Sequence, residues 1–328
     1  MTANRMGRSS LAAMTDTAVP GTHEETSYRC SPWTRAQEVD PIGSAAQFDA
    51  LILVEWPLPW PKDVSDLAGL RESSMVPGVR VMLVVPRGDD EVDGLSRVVH
   101  HRRVGANRLV GADHRVPHAE AAALVAALAA DPLADHSARS SFVGDAPAEV
   151  LVCGHGRRDA CCGRWGTLLH IELAARSSAV RVWRCSHTGG HRFAPTAITL
   201  PDGRAWAYAD ADLLDAVVHR TADLASLAIH DRGTSSLDAW AQVVERAVFV
   251  ATGWSWLEQG PLTATTEIAP DGQRATVTLS WYGGSAIGEV EITRMLPVLV
   301  CGEPPEMATK SCPEYALRSL HLTEAQTT

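Results

Sequence analysis

The stretch EVLVCGHGRRDACCGRWG (149–166) decides the fold. Its first five residues, Glu149 to Cys153, are a short apolar run of the kind a buried strand presents. A glycine-bearing loop follows, and 164–176 reads as a helix. Val180-Arg181-Val182-Trp183 is then another strand, with Cys185-Ser186-His187-Thr188-Gly189-Gly190-His191 as the loop behind it. Strand, irregular loop, helix, strand is the repeating unit of an α/β protein.

The same order recurs upstream. Asp49 to Glu55 suits a buried strand, WPLPWPKD (56–63) is a Pro- and Trp-rich turn, a helix is expected around 64–72, and Val79 to Val85 reads as a second strand. Both second strands contain Val-Arg-Val, at 79–81 and 180–182, which suggests a degenerate internal duplication. HAEAAALVAALAA (118–130) is rich in the best helix formers. Downstream, Asp202-Gly203 marks a hairpin between 197–200 and 205–208. Apolar positions 237, 240, 241, 244, 247, 248 and 251 form a stripe at helical spacing. Residues 263–292 alternate through Asp271-Gly272 and Gly283-Gly284 turns as a small antiparallel appendage, with Trp254, Trp256 and Trp281 packing its core. The expected division is a flexible N-terminus over 1–35, an α/β domain over 36–140, a related α/β domain carrying the cysteine and histidine loops over 141–235, and a C-terminal helix and β appendage over 236–328.

Composition narrows the function classes. Among 328 residues, 45% are hydrophobic and 21% charged, which excludes a fully disordered or fibrous chain. A net charge of -10 argues against nucleic acid as a partner. No run approaches the roughly 18 apolar residues of a membrane span, and the first thirty residues hold no apolar core of signal-peptide length. A cytoplasmic protein with no membrane partner is expected. The seven cysteines are odd in number and do not look like a secreted disulfide scaffold. Cys30 stands alone, Cys301 and Cys312 form a late pair, and Cys153, Cys161, Cys162 and Cys185 crowd together.

The two loops offer four thiols and three imidazoles (His155, His187 and His191) from neighbouring strands. Such soft donors suit zinc, copper or iron–sulfur centres and are the wrong set for magnesium or calcium. His187 and His191 are four apart, but Gly189 and Gly190 lie between them and no glutamate follows His187, so a zinc-protease helix is excluded. Paired glycines instead let the backbone approach a bulky ligand closely. The first loop lacks both the Gly-Lys-Ser/Thr ending of a phosphate loop and the GxGxxG register. A Cys–His hydrolase would need only one thiol and one base. A plain apolar role suits Cys30 and Cys185.

CGHGRRDACCGRWG (153–166) and VWRCSHTGGHRFAPTAITLPDG (182–203) together resemble the sucrase/ferredoxin-like family over roughly 140–235. GSAAQFDALILVEWPLPWPKD (43–63) is more loosely similar to the family's N-terminal region. The resemblance implies a thioredoxin-like ferredoxin domain over 141–235 and a 2Fe–2S cluster held by two cysteines of the first loop and two histidines of the second. The cysteines with eight residues between them are Cys153 and Cys162, and the histidines with three between them are His187 and His191. Cys161 and Cys185 are left to pack or shield the cluster.

Neutral imidazoles in place of two thiolates raise the potential, as in Rieske centres. Their second ring nitrogens can exchange a proton near neutral pH, which couples electron to proton uptake. Arg157, Arg158, Arg164, Arg184 and Arg192 would favour reduction or dock an acidic partner. The implied function is electron transfer to a redox partner protein or a small-molecule acceptor, rather than catalysis in a substrate pocket. No carboxylate pair for glycoside hydrolysis is identifiable. Two other readings stand beside it: a structural zinc module on the same two cysteines and two histidines, and a thioredoxin-fold thiol oxidoreductase, which would want a Cys-x-x-Cys pair that is missing.

Overall fold

A computed structural model of the chain describes residues 28–87, 94–176, 179–259 and 262–324. Apolar runs become central strands: β1 (Ala50–Glu55) is buried along its whole length and β2 (Val79–Val84) nearly so. They pair in parallel, Ile52 beside Val81. β3 (Leu95–Gly105), β4 (Arg108–Pro117) and β5 (Phe142–Asp145) extend the sheet antiparallel from β1. β6 (Glu149–Cys153) and β7 (Arg181–Cys185) form a second parallel pair. β8 (Ala197–Leu200), β9 (Arg204–Trp206) and β10 (Asp231–Thr234) extend antiparallel from β6.

The strand order β10-β9-β8-β6-β7-β2-β1-β3-β4-β5 reads the same from either end once the halves are matched. The two halves thus repeat one strand arrangement. The halves join where β2 and β7 run antiparallel at their C-terminal ends, Val84 opposite Cys185. Ser186 secures that join, its N–H donating to the Leu83 carbonyl (2.7 Å) and its Oγ accepting from Leu83 N–H (3.0 Å). All loops at the ends of β1, β2, β6 and β7 are thereby brought to one region.

α3 (Ala121–Ala130) covers the outer face of the first half, burying Leu124, Val125 and Leu128 against Ile52, Val54 and Val98. α4 (Thr167–Arg176) and α5 (Ala211–Val218) cover the second half. The other faces meet in a shared core of Leu51, Leu53, Met82, Leu151, Trp183 and Ile198. Alternation along each strand divides its side chains between the two cores. The helix expected around 64–72 is broken into a 3-10 turn, Val64–Asp66, and the short α2 (Arg71–Ser74). Asp63 caps the turn, accepting from Ser65 N–H at 3.1 Å.

All of α1 (Cys30–Ala36) but its last residue falls in the stretch expected to be flexible; most of that stretch is outside the described residues, but Cys30 is fully buried. After α6 (Leu224–Leu227), α7 (Ala239–Thr252) follows the predicted apolar stripe. Its N-terminus is capped by Asp238, which accepts from Ala241 N–H at 2.9 Å. The appendage is a four-stranded antiparallel sheet of β11 (Thr263–Ile268), β12 (Arg274–Trp281), β13 (Gly284–Pro297) and β14 (Ser311–Glu324). Trp240, Val244, Val248 and Phe249 of α7 share one core with Val150 and Trp206 of the large sheet and Val277 and Val290 of the small one. No helix among the described residues is long and apolar enough to cross a membrane.

Candidate metal centre

Cys153 ends β6 and Cys185 ends β7, side by side in register. The chain leaves β6 through Gly154, whose N–H donates to the Cys185 carbonyl at 3.0 Å. It re-enters helix through a single π turn, Cys162–Gly166, that runs into α4. The glycines of CCGRWG make this return possible, since a Cβ on Gly166 would lie 1.8 Å from the Cys153 carbonyl oxygen. That close approach sets the Cys162 thiol against the Cys153 thiol.

The two thiols share a hydrogen bond, and their acidities split. Cys153 is held well below the ordinary thiol range, first by the bond from Cys162 and then, against the cost of burial, by His187. Cys162 is pushed well above it, first by the bond to Cys153 and then by burial. Two buried thiols set together in this way are suited to serve as a pair of metal-ligating thiolates. Cys185, equally buried, is pushed up by burial itself and lies among the apolar residues of the shared core.

The second loop brings the imidazoles. Gly189 and Gly190 both take positive φ, +90° and +65°, a turn that glycine adopts without strain. The His187 and His191 rings stand 6.1 Å apart between centroids. His187 Nδ1 is buried and has no hydrogen-bond partner, and His191 Nδ1 lies 3.2 Å from Asp159 Oδ2. The structure thus brings Cys153 together with Cys162 and His187, and sets His191 beside His187.

Two cations missed by the sequence reading lie beneath this loop. Arg80 donates to the His187 carbonyl at 2.7 Å, and Arg232 donates to the Gly189 carbonyl at 3.1 Å. No carboxylate of the described residues pairs with either. Burial lowers the pKa of both; that of Arg232 comes down to about 9, with Arg80 and Arg192 adding repulsion. Their only sequence signal was an arginine inside the apolar β2 run and another inside the short β10, Asp231–Thr234. Of the arginines expected near the site, Arg184 donates to the Gly154 carbonyl (3.1 Å), whereas Arg158 reaches outward to Asp63 (3.2 Å).

The first half supplies a cover. Trp60 of the WPLPWPKD turn is 1% exposed and packs edge-on against His155, ring centroids 5.8 Å apart. His155 Nε2 bonds the Pro61 carbonyl at 2.8 Å. The His155 ring is thus tied to the cover, while its backbone N–H serves the Cys153 thiol.

A second group of donors lies beside the first. Cys30, Asp159, Cys161 and Cys301 offer ligand atoms that all lie within 4.8 Å of one another and could hold a metal ion. Cys30, which stands alone in the sequence, is therefore not solitary in space, and Cys301 joins it rather than Cys312. The Cys301 thiol is held far below the ordinary range by hydrogen bonds from Cys161 and Cys30, while Cys30 is pushed far above it, first by its bond with Cys161 and then by that with Cys301. Cys161 is pushed up to about 11. Both groups lie in one small cluster with Ala194, Leu299, Trp33 and Trp165.

A stretch of 58 residues is 40% identical to the altered inheritance of mitochondria protein 32 of Meyerozyma guilliermondii, covering 16% of this chain and 21% of that protein. The chain thus matches about a fifth of that relative's length. No solved structure matches the chain. The sucrase/ferredoxin-like family profile spans residues 41–233, more than half of the sequence, with the loops at the ends of β6 and β7 inside it. The chain belongs to the sucrase/ferredoxin-like family.

Proposed function

We propose that this chain is an electron-transfer protein whose second half is a thioredoxin-like ferredoxin domain, holding a 2Fe–2S cluster through Cys153, Cys162, His187 and His191. One observation carries the reading: the buried Cys153 and Cys162 lie in one cluster, with an unpartnered, buried imidazole nitrogen of His187 beside Cys153, over guanidiniums that no described carboxylate neutralises. Buried charge of one sign is costly unless an opposite charge is placed nearby. When bound, the cluster supplies a one-electron acceptor whose imidazole ligands raise its potential.

The chain's own residues set the conditions. Arg80 and Arg232 fix the second loop through its carbonyls and favour the negative charge that an added electron brings. Trp60 and His155 cover the first loop against water. A ligating imidazole keeps a second ring nitrogen on which a proton can be held, so the potential is expected to fall as pH rises. The electron passes to a redox partner protein or a small-molecule acceptor.

The test is purification of the full chain under low oxygen, with metal and sulfide analysis and a visible spectrum. The expected protein is brown and holds about two irons and about two acid-labile sulfides per chain. Colourless protein that takes up neither iron nor sulfide on reconstitution, with zinc bound instead to Cys153 and Cys162, would overturn the reading in favour of a zinc module.

A further inference from the structure

We propose that Cys30, Cys161, Cys301 and Asp159 form a second, mononuclear metal centre that takes zinc and fastens both ends of the chain to the loop between β6 and α4. Sγ of Cys161 and Cys301 are 3.2 Å apart, and those of Cys30 and Cys301 are 3.6 Å apart. Asp159 Oδ1 lies 3.3 Å from both the Cys30 and the Cys301 sulfur. A tetrahedral zinc with sulfurs at about 2.3 Å requires sulfur–sulfur edges of about 3.8 Å, so small movements of the side chains enclose an ion. An iron–sulfur cluster spreads its ligands around several irons and needs a wider cage.

Donor chemistry selects the ion. Three thiols and one carboxylate are a soft set that prefers zinc over magnesium or calcium. Four protein donors leave no open position, which is the pattern of a structural rather than a catalytic zinc. Cys30, Cys161 and Asp159 are all buried, and no lysine or arginine of the described residues pairs with Asp159. A bound cation offsets the buried carboxylate that would otherwise stand among thiols. Backbone groups already face the donors: Cys161 N–H donates to Asp159 Oδ1 at 2.8 Å, and Cys301 N–H to Oδ2 at 3.4 Å. Cys30 N–H donates to the Cys301 sulfur at 3.5 Å.

The positions of the donors explain what the ion would do. Cys30 begins α1, Asp159 and Cys161 lie in the loop after β6, and Cys301 follows β13. Both Cys30 and Cys301 fall outside the span matched by the family profile. One ion would close two loops of more than a hundred residues each, a constraint that stabilises mainly by limiting the unfolded chain. A disulfide between Cys161 and Cys301 is the rival arrangement; it would leave the Cys30 thiol unused and the buried Asp159 carboxylate with only the His191 ring, 3.2 Å away, beside it.

The inference does not rest on the iron–sulfur reading, and zinc-edge X-ray absorption on the purified full chain tests the two separately. About one zinc per chain is expected, with three sulfur neighbours and one oxygen. Two sulfur and two nitrogen neighbours would place the zinc on the histidine loop and overturn the assignment, as would a protein without zinc whose mass under non-reducing conditions shows a Cys161–Cys301 disulfide. As a second arm, Cys30→Ser and Cys301→Ser, prepared separately, are expected to lower zinc content at least about tenfold, consistent with loss of one of four ligands. Zinc content unchanged in both variants would also overturn it. Iron and sulfide, measured on the same samples, report on the other site.

Discussion

Asp159 stands between the two groups of donors. Its Oδ1 faces the Cys30 and Cys301 sulfurs, and its Oδ2 lies 3.2 Å from His191 Nδ1. Next to it the adjacent cysteines part company, Cys161 turning to Cys301 and Cys162 to Cys153. Adjacent residues entering a helix point about a quarter-turn or more apart, so one dipeptide can serve two sites. Serine variants should separate them. Cys162→Ser is expected to abolish iron binding, whereas Cys161→Ser should retain iron and lose zinc. Equal loss of iron from both variants would contradict this division. The gap of eight between Cys153 and Cys162 was legible in the sequence because both lie in one local loop. The partners of Cys161 were not, being 131 and 140 residues away.

At the scale of elements, β3 and β4 show what patterning conceals. LSRVVHHRRVG and RLVGADHRVP are rich in charge and histidine, and neither resembles the apolar runs of β1, β2 or β6. Inside the fold those groups pair: His101 Nε2 meets Glu149 Oε2 at 2.6 Å, and Asp113 bridges Arg97 (3.1 Å) and Arg181 (2.9 Å). A strand whose polar side chains find partners across a packed interface need not be apolar. Two of its histidines also make the strand pair acid-sensitive. Burial lowers His100 to about 3 and His114 to about 4, from an ordinary value of 6.5. Above pH 6.5 both are neutral in folded and unfolded chains; below it the unfolded chain takes up protons first. Their contribution is therefore whole above pH 6.5 and is lost as pH falls toward the folded values, by about 1.4 kcal/mol per pH unit for each histidine. Thermal melts from pH 7 to pH 4 should show a shallower decline in His100→Gln than in the parent, and parallel curves would refute the assignment. The variant retains a donor for the Pro132 carbonyl, which His100 Nε2 meets at 2.9 Å.

Across the whole molecule, the appendage and the large sheet share one buried core through α7. Arg204 of β9 is buried between Asp231 and Glu245, the latter on α7, and Glu245 also accepts from Trp256 Nε1 at 2.6 Å. Removing Glu245 leaves a buried guanidinium with half its counter-charge, a loss of about 3–5 kcal/mol. That is a large share of the roughly 5–15 kcal/mol by which a domain is stable. Residues 28–235 expressed alone should therefore aggregate or unfold without a cooperative transition in calorimetry, where the full chain melts cooperatively. A cooperative melt of the shortened chain would show that the second half stands alone.

Local chemistry explains what could be read before folding. Apolar runs, glycine turns and the spacing of Cys153, Cys162, His187 and His191 act over ten or so residues, and the sequence by itself determined the α/β order, α7, most of the appendage and the candidate loops. Only the tertiary structure decided that the two halves join through β2 and β7, that Arg80 and Arg232 lie beneath the histidine loop, and that Cys30, Asp159, Cys161 and Cys301 meet. Those contacts join segments up to 271 residues apart. Their partners are chosen by the packing of whole elements, and local spacing carries no record of it.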